Sequence, residues 1–167
     1  MSEVHPFLAA LLYAGDRFES RPAFTSLLEE NEVVVCDRYV ASNLAHQGAK
    51  VNGDDRRELL DRVQRIEHRL YGLPSADLTL FLDLSVERAQ SLIARKNQRD
   101  YTDRKADLQE ADATYLQRVR AVYHELAEAS PETWRRVDCE AAGELRSLDE
   151  IADELWRIVT DRLPRVA

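Results

Sequence analysis

Three short apolar runs, at residues 32–36, 77–84 and 134–139, constrain the fold of this chain more than any other feature. Each is bracketed by stretches in which apolar residues recur about every 3.6 positions, and none leads through a tight turn into a second run. The pattern predicts an α/β fold, a parallel sheet flanked by helices on both faces, because parallel strands need long crossover connections and bury both sides. With 167 residues, 44% of them hydrophobic, the chain can build one core, so the reading is a single domain over 1–167.

Helices follow from periodicity and stop signals. Residues 54–71 put Leu59, Leu60, Val63, Ile66 and Leu70 on one face and end at Gly72, with Pro74 just beyond. Residues 107–129 carry the longest pattern, with Leu108, Ala111, Tyr115, Val119, Val122 and Leu126 turned inward. Ser147 and Glu150 form a capping box, and Ile151, Leu155, Ile158 and Val159 then give the stripe of a closing helix that ends before Pro164. The polar segment 94–110 holds Arg95, Arg99 and Arg104 and little apolar content, which suits either a solvated connector or a segment with its own function.

Charge narrows the partners. A formal net charge of −8 argues against gripping a nucleic-acid polymer, which needs a surplus of cations to displace counterions, but a local arginine cluster suffices for a mononucleotide. Lysine occurs only at 50, 96 and 105, so the basic residues are nearly all arginine. That suits bidentate phosphate binding, and it follows equally from a GC-rich coding sequence or a mildly salt-adapted surface. Cys36 and Cys139 are too few for a disulfide framework or a zinc site and are expected as buried, reduced thiols at strand ends. No run of about 18 apolar residues occurs and the N-terminus lacks a basic leader, so a soluble, cytoplasmic protein without a membrane partner is expected.

The first apolar run stops at Asp37-Arg38-Tyr39. In an open parallel sheet ligands bind outside the carboxyl ends of the strands, which is where these residues would lie. A carboxylate there suits Mg²⁺ held mostly through water, and an adjacent guanidinium suits a phosphate. The alternative is that the Asp-Arg pair simply caps the following helix.

The stretch VVVCDRYVASNLAHQG closely resembles the signature of thymidylate kinases, in which a strand runs into Asp-Arg-Tyr or Asp-Arg-His, then Ser, then Ala-Tyr-Gln-Gly. LLYAGDRFESR resembles that family's Leu-Phe-Ala-Ala-Asp-Arg helix, ADLTLFLDLSVERAQSLIARK its strand and helix before the lid, and DLQEADATYLQRVRAVYHELA the long helix after it. The resemblance runs from His5 to the closing helix. It implies a P-loop nucleotide kinase that transfers a phosphoryl group from ATP to dTMP with Mg²⁺. It further implies that Tyr13 stacks on thymine, Arg17 reaches a base carbonyl, Arg38 holds the acceptor phosphate and Asp37 helps position the metal through water. Ser42 belongs to the same signature. Asn43 and Gln47, one helical turn apart, can face one base with both donor and acceptor groups. His46 stands where the family has a tyrosine on the sugar side, which leaves discrimination against ribonucleotides open. Arg95, Arg99 and Arg104 fall in the lid, where arginines neutralise charge on the transferred group, with no choice among the three.

One element of that family is not found. The five glycines, at 15, 48, 53, 72 and 143, form no G-x-x-x-x-G-K-[ST] loop to cradle donor phosphates. The expectation is therefore a nucleotide-kinase fold with its first strands and P-loop missing, a product truncated at its N-terminus by a late start site, marginally stable or aggregation-prone, binding dTMP weakly and inactive alone. The competing reading is a catalytically dead nucleotide-binding or dimerisation module of the same fold. A deoxynucleoside kinase fits less well, since that relative resembles Asp/Glu-Arg-Ser. A homodimer through Phe7, Leu8, Leu11 and Leu12 competes with the simpler reading of those residues as core.

Overall fold

The computed structural model describes residues 4–97 and 112–163. These divide between Ser75 and Ala76 into two compact units.

The first unit is helical. Helix α1 (Pro6–Glu30) opens with proline in its first turn, where no backbone donor is needed, and His5 Nδ1 accepts from the Phe7 amide at 3.3 Å. Its buried residues are Ala10 and Ala14, whose small side chains let α2 (Val40–Gly48) and α3 (Gly53–Gln64) pack closely against it. Helix α2 is almost wholly buried, with Val40, Leu44 and Ala45 supplying apolar contact and Ser42, Asn43 and Gln47 supplying polar groups.

Helix α3 runs on into a π-helical turn, Arg65–Leu70, closed by the Tyr71 amide bonding Ile66 O at 2.8 Å. The wider turn resets the helical phase. Leu59 and Val63 face inward as their spacing predicts, but Leu70 is 72% exposed and Glu67 takes the inward position at 0%. Single π turns of this kind are frequent at functional sites. Gly72 then adopts φ +62°, the left-handed stop expected of it, and a Cβ there would lie 2.8 Å from Arg21 Nη1. Arg21 uses that nitrogen to donate to Tyr71 O at 2.8 Å.

The run at 32–36 is a correction. It has no regular secondary structure and joins no ladder among the described residues, and Val35 is 87% exposed. An apolar run becomes a strand only when a neighbour takes its N–H and C=O groups, and none does so among the described residues. Cys36 is accordingly exposed rather than buried, whereas Cys139 is buried as expected.

The second unit holds the parallel pair. Strands β1 (Thr79–Asp83) and β2 (Trp134–Asp138) pair in register Thr79↔Trp134 through Asp83↔Asp138. They are connected through α4 (Val86–Asn97) and α5 (Ala113–Ala129), so two of the three predicted strands and the parallel crossover are present. Phe81 stacks on Tyr123 of α5 at 5.0 Å and meets His124 edge-on at 5.2 Å, while Val137 is fully buried. Asp112 caps α5 by accepting from the Thr114 and Tyr115 amides; Leu108 and Ala111 lie outside the described residues. After β2 comes a hairpin that periodicity did not reveal, β3 (Glu140–Ala141) and β4 (Glu144–Leu145), turned by Ala142 and Gly143, both at positive φ. Helix α6 (Leu148–Thr160) carries the predicted capping box and packs on β2.

Candidate functional site

The signature residues gather at the start and along the length of α2. Arg38 sits at φ +67°, a left-handed conformation that a non-glycine residue adopts at a cost of roughly 1–3 kcal/mol and that clusters at functional turns. That turn aims its side chain back along the helix it precedes, and Arg38 Nε donates to Ser42 Oγ at 2.8 Å. The bond fixes one nitrogen of the guanidinium and leaves the other two for a ligand. Tyr39 is the N-cap residue of α2 without a side-chain capping bond, so the reading in which Asp37-Arg38 merely caps the helix is not realised. Asp37 is exposed beside it.

Further along α2 lies a buried polar network. Glu67, carried inward by the π turn, accepts from Arg17 Nε at 2.6 Å and from Arg17 Nη2 at 2.5 Å. It also accepts from Asn43 Nδ2 at 2.8 Å, and the same Nδ2 donates to Ala10 O at 3.1 Å. A fully buried carboxylate is tolerated only when paired and hydrogen-bonded in this way. Both hydrogens of the Asn43 amide nitrogen are thereby committed. Asn43 Oδ1, and Gln47 Oε1 one turn on, are buried with no protein partner among the described residues. Oxygens in that state take their bond from a bound molecule, a ligand or a water.

Next to this network Tyr39 donates its hydroxyl to Pro74 O at 3.0 Å. Burial first, then the charges of Cys36 and Glu67, pushes that hydroxyl up to about 12, against an opposing pull from Arg17. It therefore stays a protonated donor that holds the entrance to α2 against the Pro74 loop.

Of the residues singled out from sequence, the structure brings Arg17 and Asn43 together through Glu67, and Arg38 together with Ser42. Tyr13 lies one turn before Arg17 on α1 and is 57% exposed; His46 is half-buried in the last turn of α2. Arg95 is exposed on α4, in the second unit. Arg99 and Arg104 lie outside the described residues. Glu67 was missed because the spacing 59, 63, 66, 70 absorbed the helix; the spacing 59, 63, 67 would have found it.

The second unit has its own buried acid at a strand terminus. Asp83, the last residue of β1, accepts from Arg120 Nε at 2.5 Å and Arg120 Nη2 at 3.1 Å, with His124 Nε2 at 3.0 Å and Arg136 Nε at 3.9 Å. Nearby, Glu140 accepts from the Ser85 amide at 2.7 Å and the Ser85 hydroxyl at 3.1 Å. The amide bond chiefly, then the hydroxyl and Arg88, hold its carboxyl below the usual range. The rule that singled out Asp37, an acid where an apolar run ends, points equally to Asp83.

No group of three or more potential metal-ligating side chains occurs among the described residues. A lone exposed carboxylate at Asp37 nonetheless fits an ion that keeps most of its water and takes its other oxygens from phosphates.

Flanking helices and a parallel strand pair joined by a helical crossover make a mixed α/β protein, consistent with the P-loop nucleotide-kinase fold. The family model described as thymidylate kinase matches residues 1–148, and the chain belongs to the thymidylate kinase family. A thymidylate kinase of Deinococcus radiodurans is 33% identical over 161 residues, covering 96% of this chain and 70% of the relative. One of Thermomicrobium roseum is 36% identical over 168 residues, covering 97% and 70%. One of Mycobacterium tuberculosis is 38% identical over 121 residues, covering 72% and 56%.

Proposed function

We propose that this chain carries the acceptor site of a kinase that transfers a phosphoryl group from ATP to dTMP, giving dTDP. The observation that supports it best is the arrangement of α2: an arginine anchored by Ser42 at its N-terminal end and two buried, unpaired amide oxygens about a turn further along. A nucleoside monophosphate has the matching polarity, an anion at one end and a hydrogen-bonding base at the other.

In this reading Arg38 holds the acceptor phosphate with the two nitrogens that Ser42 leaves unbound. Asn43 and Gln47 read the base, Arg17 offers it the Nη1 edge not engaged by Glu67, Tyr13 stacks on its face, and His46 lies toward the sugar. By the resemblance, the lid arginine that supplies positive charge to the transferred group is one among Arg95, Arg99 and Arg104. Asp37 would hold Mg²⁺ through water, and the bound ion would neutralise phosphate charge. Catalysis is positioning and charge neutralisation, and no general base is required because the attacking oxygen already belongs to a phosphate anion.

The exposed Leu8 and Leu12 on α1 are the surface proposed for a homodimer, to be checked by sedimentation. No described helix is long and apolar enough to cross a membrane.

Thermal melting with and without dTMP, paired with an assay for ATP-dependent dTDP formation, tests the reading. A cooperative transition raised by dTMP is expected, since a ligand that binds only the folded state stabilises it by mass action. Because these 167 residues contain no G-x-x-x-x-G-K-[ST] loop, no dTDP is expected from this polypeptide by itself. A transition that dTMP leaves unmoved at millimolar concentration refutes the acceptor site.

A further inference from the structure

Glu67 is assigned no contact with substrate, yet it is the most deeply buried acid described and bonds two proposed base-reading residues, Arg17 and Asn43. We infer that Glu67 is a positioning residue that sets the base specificity of the site, selecting a pyrimidine with an N3–H donor over one with an N3 acceptor, because it fixes which end of the Asn43 amide is left for the base. The inference rests on the acceptor-site reading above and deepens it.

An asparagine amide has two ends, an oxygen that accepts and a nitrogen that donates, and turning it over exchanges them with little change in shape. Here the exchange is blocked. The nitrogen lies against two acceptors, Glu67 Oε1 at 2.8 Å and Ala10 O at 3.1 Å. Turning the amide over would set Oδ1 against a carboxylate and a carbonyl, three acceptors with no hydrogen among them. Glu67 cannot rotate to relieve this, because Arg17 grips both of its oxygens at 2.5 and 2.6 Å. The ion pair thus locks the carboxylate, the carboxylate locks the amide, and Oδ1 is left as an acceptor without a protein partner.

Thymine and uracil present N3–H, a donor, between two carbonyls; cytosine presents N3 as an acceptor beside an amino group. An acceptor fixed at Oδ1 binds the first kind and repels the second. A buried polar group left unpaired by the wrong ligand is a strong source of discrimination. A neutral amide in place of Glu67 weakens the lock, since it can turn its own nitrogen toward Asn43 and leave Ala10 O as the one remaining acceptor that opposes turning the Asn43 amide over.

The test is calorimetric titration of dTMP and dCMP onto the wild-type chain and the Glu67→Gln variant. Wild type is expected to prefer dTMP by at least about tenfold, roughly what one lost hydrogen bond gives. In Glu67→Gln that preference falls by about tenfold through weaker dTMP binding and stronger dCMP binding, whereas a purely structural role weakens both alike. An unchanged ratio in a folded variant overturns the inference and leaves the acceptor site standing. Binding of neither nucleotide by wild type overturns both. Should Glu67→Gln not fold, side-chain amide NMR of the wild type decides. The Asn43 Nδ2 protons are expected to stay protected from exchange and nearly unshifted on adding dTMP; a large shift, placing the nitrogen against the base, sinks the inference.

Discussion

Glu67 and Arg17, fifty residues apart in sequence, meet in a two-point ion pair between the π turn and α1, with the carboxylate side chain fully buried and the guanidinium 18% exposed. Removing the acid strands a half-buried cation and an amide nitrogen that lose their shared acceptor. Glu67→Ala is expected to destabilise the chain by about 3 kcal/mol, in the range for breaking a buried pair from one side. Combining it with Arg17→Ala should return part of that loss. Urea unfolding followed by far-ultraviolet circular dichroism measures both, and strict additivity of the two single changes would argue against the pair acting as a unit.

Arg38 combines backbone strain with a proposed phosphate contact, so stability and binding should separate there. Arg38→Gly relieves a φ of +67° that only glycine adopts freely. The variant is expected to be as stable as wild type or more stable by about 1 kcal/mol, while losing at least about tenfold in dTMP affinity. Denaturation and titration on the same preparation check the two halves.

Acid should loosen the second unit through Glu140. Its folded carboxyl lies below the ordinary value of 4.5, first because the Ser85 amide donates to it. A lowered folded value means that this stabilisation is fully present above about pH 4.5 and is lost as the pH falls through the lower folded value. The melting temperature is expected to drop between pH 5 and 3, and by a smaller amount in Glu140→Gln, where that proton linkage is gone. Both tryptophans, Trp134 and Trp156, belong to this unit, so their fluorescence follows it selectively.

Asp83 gathers Arg120, His124 and Arg136 around a side chain only 1% exposed. Asp83→Asn keeps the shape and removes the one anion among these groups. A loss of about 3 kcal/mol in urea unfolding, read by tryptophan fluorescence, is expected. A loss below about 0.5 kcal/mol would place the cluster among ordinary surface ion pairs.

Much of the fold was legible in the chain. The runs at 77–84 and 134–139 paired in parallel, Gly72 stopped its helix in the left-handed conformation, and Ser147-Glu150 closed its capping box, because each depends on local chemistry or on a neighbour that is present. The run at 32–36 has the same apolar character, yet it joins no ladder among the described residues, since strand formation depends on a partner that hydrophobicity does not report. Within the candidate site, Arg38, Ser42 and Asn43 were singled out from a motif, and the structure brings Arg38 to Ser42 and Asn43 to Glu67. Glu67 was not singled out, because the apolar positions 59, 63, 66 and 70 drew the helix face through Leu70, whereas the buried face runs through 59, 63 and 67 and a charged residue carries no apolar signal.

Titration of dTMP into the wild-type chain, repeated with Arg38→Ala and Asn43→Ala, tests most directly the claim that α2 is a thymidylate acceptor site. Saturable binding at one site per chain is predicted, weakened at least about tenfold by each substitution when measured well below each variant's own melting temperature. Undetectable binding by the wild-type chain, or binding that both substitutions leave unchanged, would contradict it.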